Sequence, residues 1–230
     1  MSLGLSEELN EKLAYKLVDI LPGDGVFQVP QSVVVTWLIM AILVILSIIF
    51  TRNLEIVPKG KQALLESFMG MIYNMLHGTL GDKGKRYIPY LTTVLLYLGI
   101  ANMAGLFGIT PPTKDLNTTA GLALMTIVLV QYAGIREKGV GGWLKSYTEP
   151  VAIITPLNIL EIGIKPLSLC MRLFGNILGA YIIMELIIYV APAVIPLAAS
   201  AYFDIFDGLL QAYVFCFLSS LYIHEAIETE

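Results

Sequence analysis

Between Val151 and Ile223 the chain is apolar almost throughout, in runs of 41 and 31 residues parted only by Pro192. As helices these runs reach about 60 and 45 Å at ~1.5 Å per residue. The hydrocarbon core of a bilayer is only about 30 Å thick. Each run must therefore break into two pieces or lie strongly tilted. Pro166 is the only proline between Pro156 and Pro192, so a kink there followed by a long tilted helix is the simpler solution. Three shorter runs precede this hairpin, at residues 33–51, 88–109 and 117–135, each suited to a single crossing.

The composition agrees with a lipid-solvated chain. Of 230 residues 57% are hydrophobic and 14% charged, against about 25% charged in ordinary soluble domains. A net charge of −4 with scattered basic residues offers no footprint for a nucleic-acid backbone. Cys170 and Cys216 stand singly in apolar runs, which suits small core residues rather than a disulfide or a thiolate metal site. The first apolar run follows an acidic start (Glu7, Glu8, Glu11) without a small-residue cleavage pattern, so no removable signal peptide is expected.

The expected fold is thus an all-α integral membrane protein, a single membrane domain with about five crossings. Residues 1–32 form an N-terminal segment, and a long tilted hairpin occupies 151–191 and 193–225. Between the first two spans, Ala63, Leu64, Phe68, Met71, Ile72 and Met75 recur at helical spacing with polar residues between them. Residues 59–80 therefore read as an amphipathic helix, lying on the membrane surface or packed on the protein's own spans. With the N-terminus outside, the inner loops hold nine Lys and Arg and the outer segments three (Lys12, Lys16 and Lys114). Positive-inside bias then predicts an external N-terminus and a cytoplasmic C-terminus.

Ionisable groups inside a bilayer cost a few kcal/mol each and mark function by default. Here they gather in the hairpin: Glu161, Lys165, Arg172, Glu185, Asp204 and Asp207. Glu161, Lys165, Ser168, Arg172, Asn176 and Gly179 follow steps of three and four, making one polar stripe about 27 Å long on a helix face. Asp204, Asp207 and Gln211 share a second face on the following helix, and two such stripes suggest a water-accessible route. Glu161 and Lys165, an i, i+4 pair, either neutralise each other or continue that route. Glu185 falls off the Arg172 face and serves an unrelated role or a second access path. Arg172 cannot shed its charge and has no acid three or four residues away, so its partner comes from another helix or another protein.

These residues resemble a known family. The segment Lys165-Pro166-Leu167-Ser168-Leu169-Cys170-Met171-Arg172-Leu173-Phe174-Gly175-Asn176 is similar to the signature of subunit a of the F-type ATP synthase. Pro111-Pro112-Thr113-Lys114-Asp115-Leu116-Asn117-Thr118-Thr119 and Gln211-Ala212-Tyr213-Val214-Phe215 resemble two more of its motifs, in matching order. The resemblance implies a long tilted hairpin curving along a ring of c subunits. It also implies that Arg172 is the essential arginine facing each passing c-subunit carboxylate, with Asn176 and Gln211 lining the ion path. Some members carry an acid nine residues after the arginine and a histidine seven before the glutamine, where this chain has Tyr181 and Asp204. The inlet acid is accordingly expected at Asp204, with Asp207 its companion and Tyr181 a further position on the path.

The expected activity is coupling of proton or sodium flow to ring rotation and ATP synthesis, in the plasma membrane. The expected partners are the c ring, the peripheral-stalk b subunits, the rest of the synthase with its catalytic head, and membrane lipid; residues 63–75 are a candidate stalk contact. No G-x-x-x-x-G-K-[ST] loop is present, so no nucleotide site, cofactor or metal is expected in this chain. A secondary transporter, with Arg172 binding an anionic substrate, is the alternative, though neither paired repeats nor discontinuous midplane helices are evident.

Overall fold

The structure, a computed structural model, describes residues 17–19, 28–52, 54–147, 155–190 and 195–228. Most of the N-terminal segment, the start of the hairpin at 151–154 and the turn about Pro192 lie outside the described residues. Among those described, the chain is mostly helical, with one short antiparallel ladder that the apolar pattern did not foreshadow. In it β1 (Leu17–Asp19) pairs with β2 (Gln28–Pro30), Val18 opposite Val29.

Helix α1 (Gln31–Thr51) leads to α2 (Lys61–Leu80) and, through a 3₁₀ turn at Lys85–Tyr87, to α3 (Ile88–Met103). Two more 3₁₀ turns, Ala104–Phe107 and Pro112–Lys114, precede α4 (Leu116–Ser146). The hairpin consists of α5 (Thr155–Val190), then α6 (Ile195–Ser200), a π-helical segment (Ala201–Asp207) and α7 (Gly208–Ile227). Five helical stretches have the length and hydropathy of membrane spans: 31–51, 85–107, 116–146, 155–190 and 195–227.

Local chemistry accounts for several boundaries. The Asp115 carboxylate accepts the Asn117 N–H at 3.0 Å and caps the start of α4. Helix α4 continues past the end of its apolar run at Ile135 to Ser146, with a break at Gly139, whose φ of 70° suits glycine. Helix α5 passes through Pro166 as one element, although proline cannot donate to the carbonyl of Ile162. Neighbouring helices make such a gap tolerable in membrane helices.

Helix α7 is the axis of the bundle. It packs most extensively against α3, then α4 and α2, and buries Ala212, Phe215, Cys216, Ile223 and Ile227. Both cysteines are buried, Cys216 donating to the Leu91 carbonyl at 3.6 Å. Since lipid is as apolar as leucine, tight packing rather than escape from water holds such helices together, and small residues let them approach. At Gly208 a side chain would begin 3.0 Å from Asn102 Cβ.

Two helices are less embedded. Helix α2 inserts Ile72, Leu76 and Leu80 into the bundle while Leu64, Phe68 and Met71 stay exposed. Helix α1 buries only Ile39. Two polar contacts near its start tie it down: Ser32 Oγ donates to Asp115 at 2.6 Å, and the Thr36 and Tyr97 hydroxyls lie 3.0 Å apart.

Candidate functional site

The polar stripe expected on α5 is present on one helix, and three groupings lie along the hairpin. The first surrounds Lys165. Its ammonium lies 3.2 Å from Glu161 and 2.9 Å from each carboxylate oxygen of Glu225, near the end of α7. Glu161 and Lys165 thus do pair, but Lys165 also bridges the two arms. Two carboxylates against one ammonium leave the group with a net charge of about −1.

These three residues line a cavity of about 270 Å³, together with Gln131, Lys138, Trp143, Tyr147 and Asn158. The Gln131 carbonyl accepts from the Trp143 indole at 3.0 Å and from the Tyr147 hydroxyl at 2.9 Å. Burial pushes the Tyr147 phenol above its ordinary range, so it remains a proton donor. A chamber of this size with several polar groups in its wall can hold a few waters or a small hydrated cation.

The second grouping is Arg172, Asn176 and Gln211. Asn176 Nδ2 donates to Gln211 Oε1 at 2.9 Å, joining α5 to α7. Gln211 is 2% exposed, and its own amide nitrogen is buried with no hydrogen-bond partner among the described residues. Arg172 lies one turn before Asn176 and about 10 Å of helical rise beyond Lys165. Its guanidinium forms no ion pair or hydrogen bond among the described residues. Leu169, Leu173 and Ile177 fill the packed face beside it. Ser168 is half-buried on the stripe between Lys165 and Arg172.

The third grouping is the π-helical segment, which carries both Asp204 and Asp207. Ser200 Oγ donates to Asp204 at 2.5 Å. The Asp204 carboxylate rests against Gly105, so close that any side chain there would collide with it. Asp207 is half-buried. Further along α5, Tyr181 lies beneath the Lys114 ammonium, 3.6 Å from the ring centre. Glu185 is half-buried one turn beyond Tyr181.

Other residues join the site without having been singled out from the sequence. Glu225 completes the Lys165 bridge, and Asn102 and Thr113 support the π segment from α3 and the turn before α4. Asn102 is the one carboxamide in the apolar run 88–109, which was the available signal. Glu225 lies where the last apolar run ends, the usual place for an unremarkable solvated charge.

The fold and these groupings define a multi-pass membrane protein whose polar side chains converge along one helical hairpin. The family model for the ATP synthase A chain matches residues 33–224, and the chain belongs to that family. Among similar proteins is ATP synthase subunit a of Moorella thermoacetica, 36% identical over 200 residues, covering 86% of this chain and 91% of that one. Subunit a 2 of a Bradyrhizobium species is 37% identical over 204 residues, covering 88% and 91%. A third relative is the sodium-ion-specific subunit a of Propionigenium modestum, 36% identical over 223 residues, covering 89% and 77%. Family membership makes this chain part of the ion-translocating stator of an ATP synthase, with the rest of that complex as its partners.

Proposed function

We propose that this chain forms two offset half-channels that load and unload the carboxylates of a rotating c ring, with Arg172 between them. The observation that carries the reading is Arg172 itself: a permanent cation on an apolar hairpin, unpaired among the described residues and flanked by polar groups on both sides. A fixed cation stabilises a neighbouring carboxylate as the anion and lowers its proton affinity. A ring carboxylate arriving at Arg172 therefore releases its ion, and the same charge blocks a direct leak between the channels. Moving on, the carboxylate is re-loaded from the other side and passes through lipid as a neutral group, because the charged form is costly there. Each elementary charge crossing 100 mV contributes about 2.3 kcal/mol, so several crossings accompany one ATP.

Asp204, with Asp207, acts as the inlet acid on the external side, supported by the placement of both on the π segment. Asn176 and Gln211 line the path next to Arg172, joined by the hydrogen bond between the two arms. Glu161, Lys165 and Ser168, with Glu225 and the cavity that Glu161, Lys165 and Glu225 border, form the cytoplasmic side of the path. The two carboxylates on that cavity attract cations. Tyr181 and Glu185 extend the external side.

The N-terminus then lies outside and the C-terminus in the cytoplasm, the orientation that the basic loops favour. The transported ion is a proton or sodium, and peripheral-stalk b subunits hold the chain against ring torque. The test is ATP-driven ion uptake by vesicles carrying the whole complex, native against Arg172→Ala at matched assembly. Uptake should vanish while the uncoupled head still hydrolyses ATP; survival of near-native uptake would refute the mechanism.

A further inference from the structure

We propose that Asn102 is a positioning residue that sets the direction of the inlet acid Asp204, by clamping the π-helical segment at its junction with α7. Asn102 is 2% exposed in the last turn of the apolar helix α3, where an unsatisfied carboxamide is costly. It uses its two ends on two different elements. Nδ2 donates to the Gly208 carbonyl at 2.9 Å, and Oδ1 accepts from the Thr113 hydroxyl at 2.8 Å. Thr113 is itself fully buried, so neither bond competes with water.

The position of the clamp gives it a role beyond holding helices together. Gly208 directly follows Asp207 and closes the π segment. Its missing side chain lets the Asn102 backbone come within van der Waals reach. Three residues further on, in the 3₁₀ turn that follows α3, Gly105 receives the Asp204 carboxylate. The end of α3 and the turn after it therefore hold the segment at two points, its end and its acid.

A π segment carries one residue more per turn than an α-helix closing the same distance. Relaxation to α geometry would rotate Asp204 against α7 by about one residue, roughly 100°. The Asn102 bond to Gly208 opposes that rotation and keeps Asp204 on Gly105. This inference rests on the proposed inlet role of Asp204 for its function, but not for its geometry.

The experiment reads that geometry in the assembled complex. With Cys170 and Cys216 replaced by serine, a single cysteine is placed at 204 (Asp204→Cys) or at the exposed loop position 83 (Lys83→Cys) as a control. The labelling rate by a small charged thiosulfonate is then compared with and without Asn102→Leu. Loss of a buried hydrogen bond should change labelling at 204 by about fivefold or more, with the rate at 83 unchanged. Thr113→Val should give a smaller change at 204 that Thr113→Ser partly reverses; if Asn102→Leu fails to assemble, this pair carries the test. Equal rates at 204, or parallel changes at both sites, would overturn the clamp. A shifted rate at 204 with unimpaired ATP-driven uptake in Asn102→Leu complexes that keep Asp204 would uphold the clamp and instead refute the inlet role of Asp204.

Discussion

Lys165 illustrates how much a residue's meaning depends on what the fold brings to it. In the sequence it has one acid in reach, Glu161, whereas in the structure Glu225 approaches from 60 positions away. Helical spacing made the Arg172 and Asn176 stripe legible, since steps of three and four are properties of one helix. The pairing of Asn176 with Gln211 needed an antiparallel second arm, which the two long runs already implied. Glu225, Asn102 and Thr113 were not legible, because their partners lie on elements whose register no local pattern specifies. At this scale, Glu225→Gln should turn the cavity, lined by Glu161, Glu225, Lys138 and Lys165, from balanced to a net charge of about +1. ATP-driven uptake should fall about threefold to tenfold, as expected when a cleft comes to repel its ion, and the deficit should shrink in high salt. Uptake at the native rate in low-salt vesicles would remove Glu225 from the path.

At the scale of elements, apolar run length foretold five spans and an overlong hairpin, and the structure has both. It did not foretell the π segment at Ala201–Asp207. Periodicity is read on an assumed 3.6-residue turn, and the widened turn packs against α3 and the 3₁₀ turn after it, contacts that no local pattern reports. Gly105 is the element-level counterpart, a glycine whose importance comes from what rests on it. Gly105→Val should displace the Asp204 carboxylate and lower coupled uptake by about tenfold or more, a loss on the scale of one strained contact. Gly121→Ala, in open space on α4, should leave uptake intact. Equal behaviour of the two variants would show that the Gly105 contact has no part in transport.

Across the whole molecule, burial is lopsided. Helices α3, α4 and α7 share the core, while α1 shows Trp37, Val44, Ile48 and Ile49 on the outside of the bundle. In a bilayer such a face meets lipid or another subunit's helix. The proposed orientation can be checked on the intact complex by placing single cysteines at Lys83 and Thr110, in successive loops. An impermeant thiol reagent applied to whole cells should label the second and spare the first; the reverse would invert the topology.

The chain has two tryptophans, and they stand in unlike places: Trp37 on the outer face of α1, Trp143 with its indole N–H fixed to Gln131 at the wall of the polar cavity. Indole emission depends on the polarity and mobility of its surroundings. Once Trp37 is replaced by phenylalanine, the remaining fluorophore of this subunit is an intrinsic optical gauge of hydration at one mouth of the path, readable without attaching any dye.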